Sequence, residues 1–407
     1  MFSAVVQPRR PADECGHRGC SHKYAMPTLL TETIDRLAGF EPVPFPVLSL
    51  YLNTQPDSVG RDQFSVFLRK ALAAPLSTYR ASSPERESLM RDVERIEGFV
   101  AASLEPSANG AAVFACSGAD GFFEAVQLDA PIDQHALYVG SRPHLYPLAR
   151  LDDRYPRYAA VVADTTVARI LVFGMNRLER AEEVAGQKTR RVKSGGWSQA
   201  RFQRHVDHYH LHHVKDVVER LDQIVRDERI PHVVLAGDEV VVPLFREQIP
   251  QQLAAKVIDV VRLDARAPEH AVLRATLETL HREDAKTDAA VVERLFDEVR
   301  AGGLGVAGAQ ATLEALTLGQ VDVLLLTANP AQIADAERMA GQADAHSAGE
   351  MPEAVHHDGG QDPPAGERAA NRLVTLARQT SASVRFIEDG SLLADIGGVG
   401  ALLRFRL

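Results

Sequence analysis

The sequence predicts a three-domain protein of mixed α/β and α+β fold. Its 407 residues exceed the usual size of one domain, and its 45% hydrophobic and 25% charged content is that of a globular protein. Apolar β-rich runs alternate with segments of helical periodicity along most of the chain, as in layered α/β domains. Three prolines then predict a border between the first and second domains: Pro143, Pro147 and Pro156.

The N-terminal domain is predicted at 26–154 as an α+β unit. A buried strand within Phe45–Thr54 opens it, and helical stretches follow around 61–74 and 85–104. "GAAVFACS" and "GFFEAVQL" flank a turn-rich segment and therefore predict a hairpin. Residues 1–25 carry charges but no apolar signal-peptide core, so we expect a disordered leader, with Met26 as an alternative start.

The middle domain is predicted at 155–285. Two β-rich runs in "YAAVVADTTVARILVFG" precede a basic glycine loop and a long amphipathic helix. The strand "HVVLAGD", the helix "VVPLFREQI" and the strand "KVIDVVRL" follow. Asp238 and Glu239 at a strand end have the position of a functional pair, but lone acids there are more often helix caps, which is our prediction.

The C-terminal domain is predicted at 286–407. The helix "DAAVVERLFDEVRAGG" opens it, and a glycine-rich turn, a second helix and the strand Val321–Thr327 follow. The glycines of "SLLADIGGVGALLRFRL" predict a tight turn before a terminal strand. The acidic stretch at about 335–368 has little periodicity and is predicted to be a mobile insertion.

Composition favours a cytoplasmic protein without membrane attachment. The three cysteines give no disulfide framework, and the longest apolar runs are too short to cross a bilayer. Cys15, His17, Cys20 and His22 form a CxHxxCxH pattern that raises Zn²⁺ binding as an alternative. Its spacing is shorter than that of common structural zinc sites, so we predict no metal.

The glycine loop reverses the charge of the chain. The protein has a formal charge of −10, yet 186–204 contains no Asp or Glu and six basic residues: Lys188, Arg190, Arg191, Lys193, Arg201 and Arg204. Such a basic segment on an acidic body predicts phosphate contacts with a nucleic acid, and Trp197 is suited to stack on a base or ribose. The alternative is a solvated loop whose glycines cap a helix and whose tryptophan packs inward.

A histidine-rich segment follows the loop. Histidines occupy positions 205, 208, 210, 212 and 213, and His208 and His212 have the i, i+4 spacing that two metal ligands on one helix face would need. No third ligand is evident, so we predict instead a polar face that meets RNA phosphates: Arg201, His205, His208 and His212. No P-loop, GxSxG or dinucleotide fingerprint occurs, so hydrolase or dehydrogenase chemistry with its own nucleotide site has no support, and no cofactor is predicted.

"GGWSQARFQR", followed by the α/β pattern, resembles the middle domain of the archaeo-eukaryotic peptide chain release factor superfamily. "GLGVAGAQATLEALTLGQVDVLLL" and "GGVGALLRFRL" look like the C-terminal domain of that superfamily and of its Pelota relatives. The resemblance covers about 155–407 and is greatest to bacterial members similar to the ribosome-quality-control factor that releases nascent chains (Vms-like). It implies an RNase H-like middle domain and a C-terminal ribosomal-protein-like α/β sandwich.

The resemblance assigns the catalytic role to Gln199, with Gly195 and Gly196 in the loop before it. Trp197 and Ser198 separate the glycines from the glutamine, so the motif here is Gly-Gly-x-x-Gln. In the superfamily this loop enters the peptidyl-transferase centre, where the glutamine helps to place water against the peptidyl-tRNA ester. A carboxamide is no base at neutral pH, so its contribution is geometric: donation to the oxyanion and orientation of water.

The resemblance implies a ribosome-associated release or rescue factor that hydrolyses peptidyl-tRNA on stalled ribosomes or large subunits. The implied partners are the large subunit, its rRNA, peptidyl-tRNA and a translational GTPase. The first alternative is a noncatalytic Pelota-like or hibernation factor that binds the A-site region. The second is an RNA-binding or stress protein that does not act on ribosomes.

Overall fold

The computed structural model describes residues 29–185, 199–238, 240–334, 336, 354–357 and 365–406; for 199–207 and 354–357 the description is of the backbone. Within this part of the chain three separate β-sheets form, of five, five and four strands. The strands of each sheet come from one predicted domain, with one exception described below. The multidomain α/β fold is therefore confirmed, whereas the leader predicted at 1–25 lies outside the described residues.

The N-terminal domain is built on an antiparallel sheet. Its central strand β1 pairs with β2 on one side and with β4 on the other. Helices α2 and α3 cover one face, where Leu50 packs with Phe67 and Leu89, while Tyr51 and Phe114 point to the other face. The predicted strand, helices and hairpin are confirmed, and the elements of the domain are α1 Leu29–Ala38, β1 Val47–Asn53, α2 Phe64–Thr78, α3 Pro84–Ala102, β2 Gly110–Cys116, β3 Phe122–Leu128, β4 Ala136–Gly140 and α4 Tyr146–Arg154.

The middle domain contains a mixed sheet in the order β7-β6-β5-β8-β9. Strands β5 to β7 form an antiparallel meander, and β8 and β9 run parallel to β5. Helix α5 covers one face through Val217, Leu221 and Ile224, and the first half of α8 covers the other. The elements are β5 Tyr158–Ala163, β6 Val167–Gly174, β7 Arg177–Ala185, α5 Gln199–Asp227, β8 His232–Gly237, α6 Val241–Gln248, α7 Gln251–Ala254, β9 Val257–Val261 and α8 Glu269–Arg300.

Helix α8 crosses the predicted border between the middle and C-terminal domains. The prediction of a helix that begins at 288 was wrong, because α8 is one helix of 32 residues. It has no internal Gly or Pro to stop it, and its apolar face changes partner along its length. Val272 and Leu280 pack on the middle sheet, whereas Val292 and Leu295 pack on the C-terminal sheet.

The C-terminal domain has a sheet in the order β10-β14-β11-β13. Strand β14 is antiparallel to both of its neighbours, and β11 and β13 are parallel. Gly397 and Gly398 take φ values of +70° and +79° just before β14, which confirms the predicted glycine turn and terminal strand. The elements are β10 Gly305–Ala307, α9 Ala309–Thr317, β11 Val321–Thr327, β12 Ala354–His357, α10 Ala365–Gln379, β13 Ser383–Ile387 and β14 Val399–Leu403.

The N-terminal and C-terminal domains share one hydrophobic core, and we call the two together the N–C platform. Helix α10 packs against α1 and α4, and Leu373 lies in the same buried cluster as Ile34 and Leu148. The Asn371 side-chain oxygen accepts from the Leu145 N–H at 2.7 Å, and the Tyr138 hydroxyl donates to Glu367. This shared core was not predicted.

Strand β12 comes from the acidic insertion, yet it adds to the edge of the N-terminal sheet. Ala354–His357 pairs antiparallel with β4, with Ala354 opposite Val139 and His357 opposite Ala136. Most of the remaining insertion lies outside the described residues, so its mobility stays a prediction, as do the domain borders. None of the described helices has the length and apolar character that a membrane span requires.

Candidate functional site at the start of helix α5

Gln199 is the first residue of helix α5. Strand β7 ends at Ala185, so the segment 186–198 joins an edge strand of the middle sheet to the helix start. Arg201 and Arg204 lie in the first two turns of α5, where only the backbone is described. The other predicted site residues lie outside the described residues: Lys188, Arg190, Arg191, Lys193, Gly195, Gly196 and Trp197.

The start of α5 offers hydrogen-bond donors to a ligand. The first four N–H groups of an α-helix have no partner within the helix, and the aligned peptide dipoles make this end partly positive. A helix of 29 residues such as α5 has a fully developed dipole, and no acidic side chain lies in its first turn. The position of Gln199 is therefore suited to an anionic group or a developing oxyanion.

Helix α5 is held in the domain by its later turns. Between His208 and His212 no side chain is buried, and continuous burial on the sheet begins at His213 and Val214. From there the apolar side chains recur at helical spacing down to Val225, all within the core under the sheet. Because the helix is anchored by this part, the position of its first residue is set by a rigid element and not by the loop alone.

Edge strand β7, which leads into the glycine loop, is fixed by ion pairs. Arg220 of α5 donates to the Glu182 carboxylate, with one of the two bonds at 2.8 Å, and this hydrogen bonding lowers the pKa of Glu182. Arg157 bonds to Glu179 at 2.6 Å and to Glu228 at 2.7 Å. These arginines are neutralised by carboxylates, so they fix the strand that precedes the loop and do not extend its basic surface.

The histidines of α5 divide between solvent and core. His208 and His212 are exposed, and their ring centroids lie 4.5 Å apart in an edge-to-face contact. The polar face toward RNA stays a prediction, because the side chains of Arg201 and His205 lie outside the described set. His213 instead is 4% exposed, and burial lowers its pKa, so it is neutral at pH 7. Among the residues whose side chains are described, no group of three metal-ligating side chains occurs; His205 is outside that set.

Asp238 is a helix cap. Its carboxylate accepts from the N–H groups of Val240 and Val241, both at 2.9 Å, at the start of α6. Satisfying these two donors is the role of a capping acid, so this prediction is confirmed. Glu239 lies outside the described residues.

The middle and C-terminal domains each match the model of a known protein family. Residues 143–281 match the model of Bacterial archaeo-eukaryotic release factor family 10, and residues 285–407 match eRF1 domain 3. Peptide chain release factor subunit 1 of Methanopyrus kandleri is 25% identical over 211 residues, which are 50% of this chain and 51% of that protein. The pelota homolog of Pyrococcus furiosus is 24% identical over 202 residues, 47% and 48% of the two chains.

Three solved structures, of two Pelota proteins and of Dom34, are also similar to this chain. The Archaeoglobus fulgidus Pelota structure has a TM-score of 0.33 at 15% identity and covers 74% of this chain and 81% of its own. A model of ribosome-bound archaeal Pelota with ABCE1 has a TM-score of 0.39 at 13% identity, and the match covers 94% of this chain and 96% of that chain. S. cerevisiae Dom34, which interacts with Hbs1, has a TM-score of 0.38 at 11% identity, and the match covers 73% of this chain and 80% of that chain.

The folded middle domain, with Gln199 at the start of a long helix after the glycine loop, and the fused C-terminal domain define the class of the protein. In sequence, these two domains are of the release-factor type. The chain belongs to the archaeo-eukaryotic release factor superfamily, in which its middle domain matches a bacterial family. It spans about half the length of the curated relatives it matches.

Proposed function

We propose that the protein is a ribosome-associated release or rescue factor that hydrolyses the ester bond of peptidyl-tRNA. The observation that carries this proposal is the position of Gln199, the first residue of α5 in a domain that matches a bacterial release factor family. In this proposal the glycine loop and the start of α5 enter the peptidyl-transferase centre of a stalled ribosome or a separated large subunit.

The chemical step is hydrolysis of the ester between the nascent peptide and the tRNA ribose. Water adds to the ester carbonyl, the tRNA hydroxyl leaves, and the peptide acid is freed. A backbone N–H at Gln199 donates to the negative oxygen that develops on the carbonyl, while the side-chain amide orients water. One such donor contributes roughly 2.7–4 kcal/mol to transition-state stabilisation in other enzymes.

The basic residues bind RNA in this proposal. Lys188, Arg190, Arg191 and Lys193 contact phosphates of rRNA or tRNA before the glutamine, and Arg201 and Arg204 do so after it. Trp197 stacks on a base or ribose. Gly195 and Gly196 leave room for RNA to approach the backbone, because they carry no side chain. The acidic remainder of the chain limits binding elsewhere.

A cytoplasmic location and a translational GTPase partner belong to the same proposal. The noncatalytic alternative, a Pelota-like or hibernation factor in the A-site region, uses the same surface without hydrolysis. What favours catalysis is the presence of a glutamine at the helix start, after a glycine pair.

The decisive experiment mixes the purified protein with isolated large subunits that carry a labelled peptidyl-tRNA. We expect release of the labelled peptide at a rate that rises with the concentration of the protein. Cosedimentation of the same mixture measures binding independently. Binding without release under every stalled condition would exclude hydrolysis and leave the noncatalytic alternative, whereas the absence of binding would exclude both.

A further inference from the structure

Two histidines of α5 form a pair on the exposed surface of the helix. His208 and His212 are about one turn apart, and their ring centroids lie 4.5 Å from each other. Both side chains are exposed, and neither ring has a hydrogen bond to another described residue. The two imidazoles therefore keep their nitrogens available to a ligand from solvent.

The separation of the two rings is that of imidazoles that share one metal ion. An ion bound by two such nitrogens at about 2.0–2.1 Å, with an angle of about 90–109° between the bonds, places the ring centroids about 4.5–5.2 Å apart. The two ring planes meet at 86°, which does not prevent sharing, because each plane only has to contain the ion. The terminal torsion of histidine is broad, so a rotation of each ring aims one nitrogen at the common point.

The backbone beneath the pair is fixed by the core of the middle domain. His212 immediately precedes His213 and Val214, which are 4% and 1% exposed and begin the continuous burial of α5 on the sheet. Because side chains four residues apart on a helix are neighbours, the two imidazoles are held close before any ligand binds. A bound ion therefore has to order the ring rotations only, and not the chain.

The chemistry of the two side chains selects the kind of ion. Imidazole nitrogen suits Zn²⁺, Cu²⁺ and Ni²⁺, whereas Mg²⁺ and Ca²⁺ prefer oxygen ligands. The charged side chains that follow in the next turn are Lys215 and Asp216, both exposed and of opposite sign, so the attraction comes from the imidazoles and not from net charge. Two protein ligands are fewer than the four of a structural zinc site, so the ion exchanges with solvent.

We propose that His208 and His212 form an exchangeable binding site for a divalent transition-metal ion, represented by Zn²⁺, with water in its remaining coordination positions. The sequence shows no third ligand and on that ground predicted no metal; the structure adds that the two rings are adjacent and exposed. Two histidines at i and i+4 on one helix face also bind zinc in the HExxH motif. The site is independent of the chemistry proposed for Gln199.

Hydrogen exchange read by mass spectrometry on the full chain, titrated with ZnCl₂, tests the site. An ion that bridges two turns must leave before this part of the helix opens. At about one hundred times its dissociation constant, we therefore expect exchange in the first half of α5 to slow by about a hundredfold. A peptide from β5 should not change, and MgCl₂ should have no effect. Zinc held at Cys15 and Cys20 would leave the α5 amides unaltered. An absence of zinc-dependent protection in α5 would overturn the proposal.

Two variants and a control assign the ion to the pair. His208→Asn and His212→Asn each remove one ligand from an exposed position and keep a polar side chain, so zinc should no longer slow exchange in α5. His210→Asn removes an imidazole from another side of the same helix, because residues two apart do not face each other, and should keep the full response. Unchanged exchange in β5 verifies that each variant folds. An undiminished zinc response in His212→Asn, or its loss in His210→Asn, contradicts the site.

Discussion

Gln199 contributes two chemically different groups at the start of α5. Its side-chain amide can orient water, and its backbone N–H is one of the donors that a helix leaves without a partner. A substitution by alanine removes the first group and keeps the second. The two contributions are therefore separable by mutation, provided that binding to the ribosome is measured alongside release.

We expect Gln199→Ala to slow peptide release from peptidyl-tRNA on large subunits by about 10²–10³ if the side chain provides the essential donor. A smaller loss indicates that the backbone N–H carries more of the effect. Gly196→Val, which restricts the backbone, should then be the more damaging change. Single-turnover release with saturating protein measures both variants, and cosedimentation should show ribosome affinity close to that of the unmodified protein.

A result that contradicts this role is equal release by Gln199→Ala, Gly196→Val and the unmodified protein. Ser391→Ala is a suitable control, because Ser391 lies in the C-terminal domain and bonds only locally to Asp389 among its described contacts. It should release peptide at the unmodified rate. A control that loses activity to the same extent would indicate general damage to the preparation.

At the residue scale, the sequence predicts what local chemistry determines. The capping role of Asp238 follows from an acid just before a helix, and the structure confirms it. The contacts of Asp153, Asp288 and Arg385 were not predicted, because Asp288 and Arg385 are 97 residues apart and Asp153 is 233 residues from its partner Phe386. Each looks like an ordinary surface charge in its own segment, and only the tertiary fold brings the three together.

The basic run before α5 is the element whose removal should affect binding most. Replacing Lys188, Arg190, Arg191 and Lys193 by alanine should weaken ribosome association and flatten its salt dependence, since each lost phosphate contact lowers the slope by about 0.7–0.9. Cosedimentation across a salt series measures both quantities. The fold should persist, which circular dichroism can verify.

A matched control removes four exposed basic residues of the N-terminal domain: Arg61, Arg69, Lys70 and Arg91. It changes the net charge by the same amount but leaves the basic run intact, so its salt slope should be unchanged. Identical losses in the two variants would mean that net charge, and not the basic run, governs association. That outcome would remove the proposed RNA contacts of the loop.

At the element scale, periodicity predicts which residues are apolar and not what they pack against. Most strands and helices of the three domains follow the sequence patterns closely, because alternation and helical spacing are local properties. Helix α8 was assigned only from 288 because its buried stripe changes sides where it passes from one sheet to the next. Its first half, around Val272 and Leu280, contacts the middle sheet.

The sequence did not predict the N–C platform either, because periodicity does not identify the packing partner of an apolar face. The apolar face of α10 predicts a buried helix, but not that α1 and α4 of another domain cover it. Asn371 shows how specific this contact is, since its oxygen serves two backbone donors at the start of α4, Leu145 and Tyr146. A polar contact of this kind fixes one relative placement of the two domains.

At the scale of the whole molecule, the shared core predicts that the N-terminal and C-terminal domains unfold together. Asn371→Ala leaves the buried Leu145 N–H without its acceptor, a loss of about 1–3 kcal/mol. Hydrogen exchange in the variant should therefore rise by a similar factor in β1 of the N-terminal domain and β11 of the C-terminal domain. Strand β5 of the middle domain should change less, because it belongs to a different core. Asn329→Ala, in an exposed turn whose side chain caps only Ala331, serves as the control and should leave β1 unchanged. If Asn371→Ala destabilises β11 and leaves β1 as protected as before, the two domains are energetically separate and the N–C platform does not act as one unit.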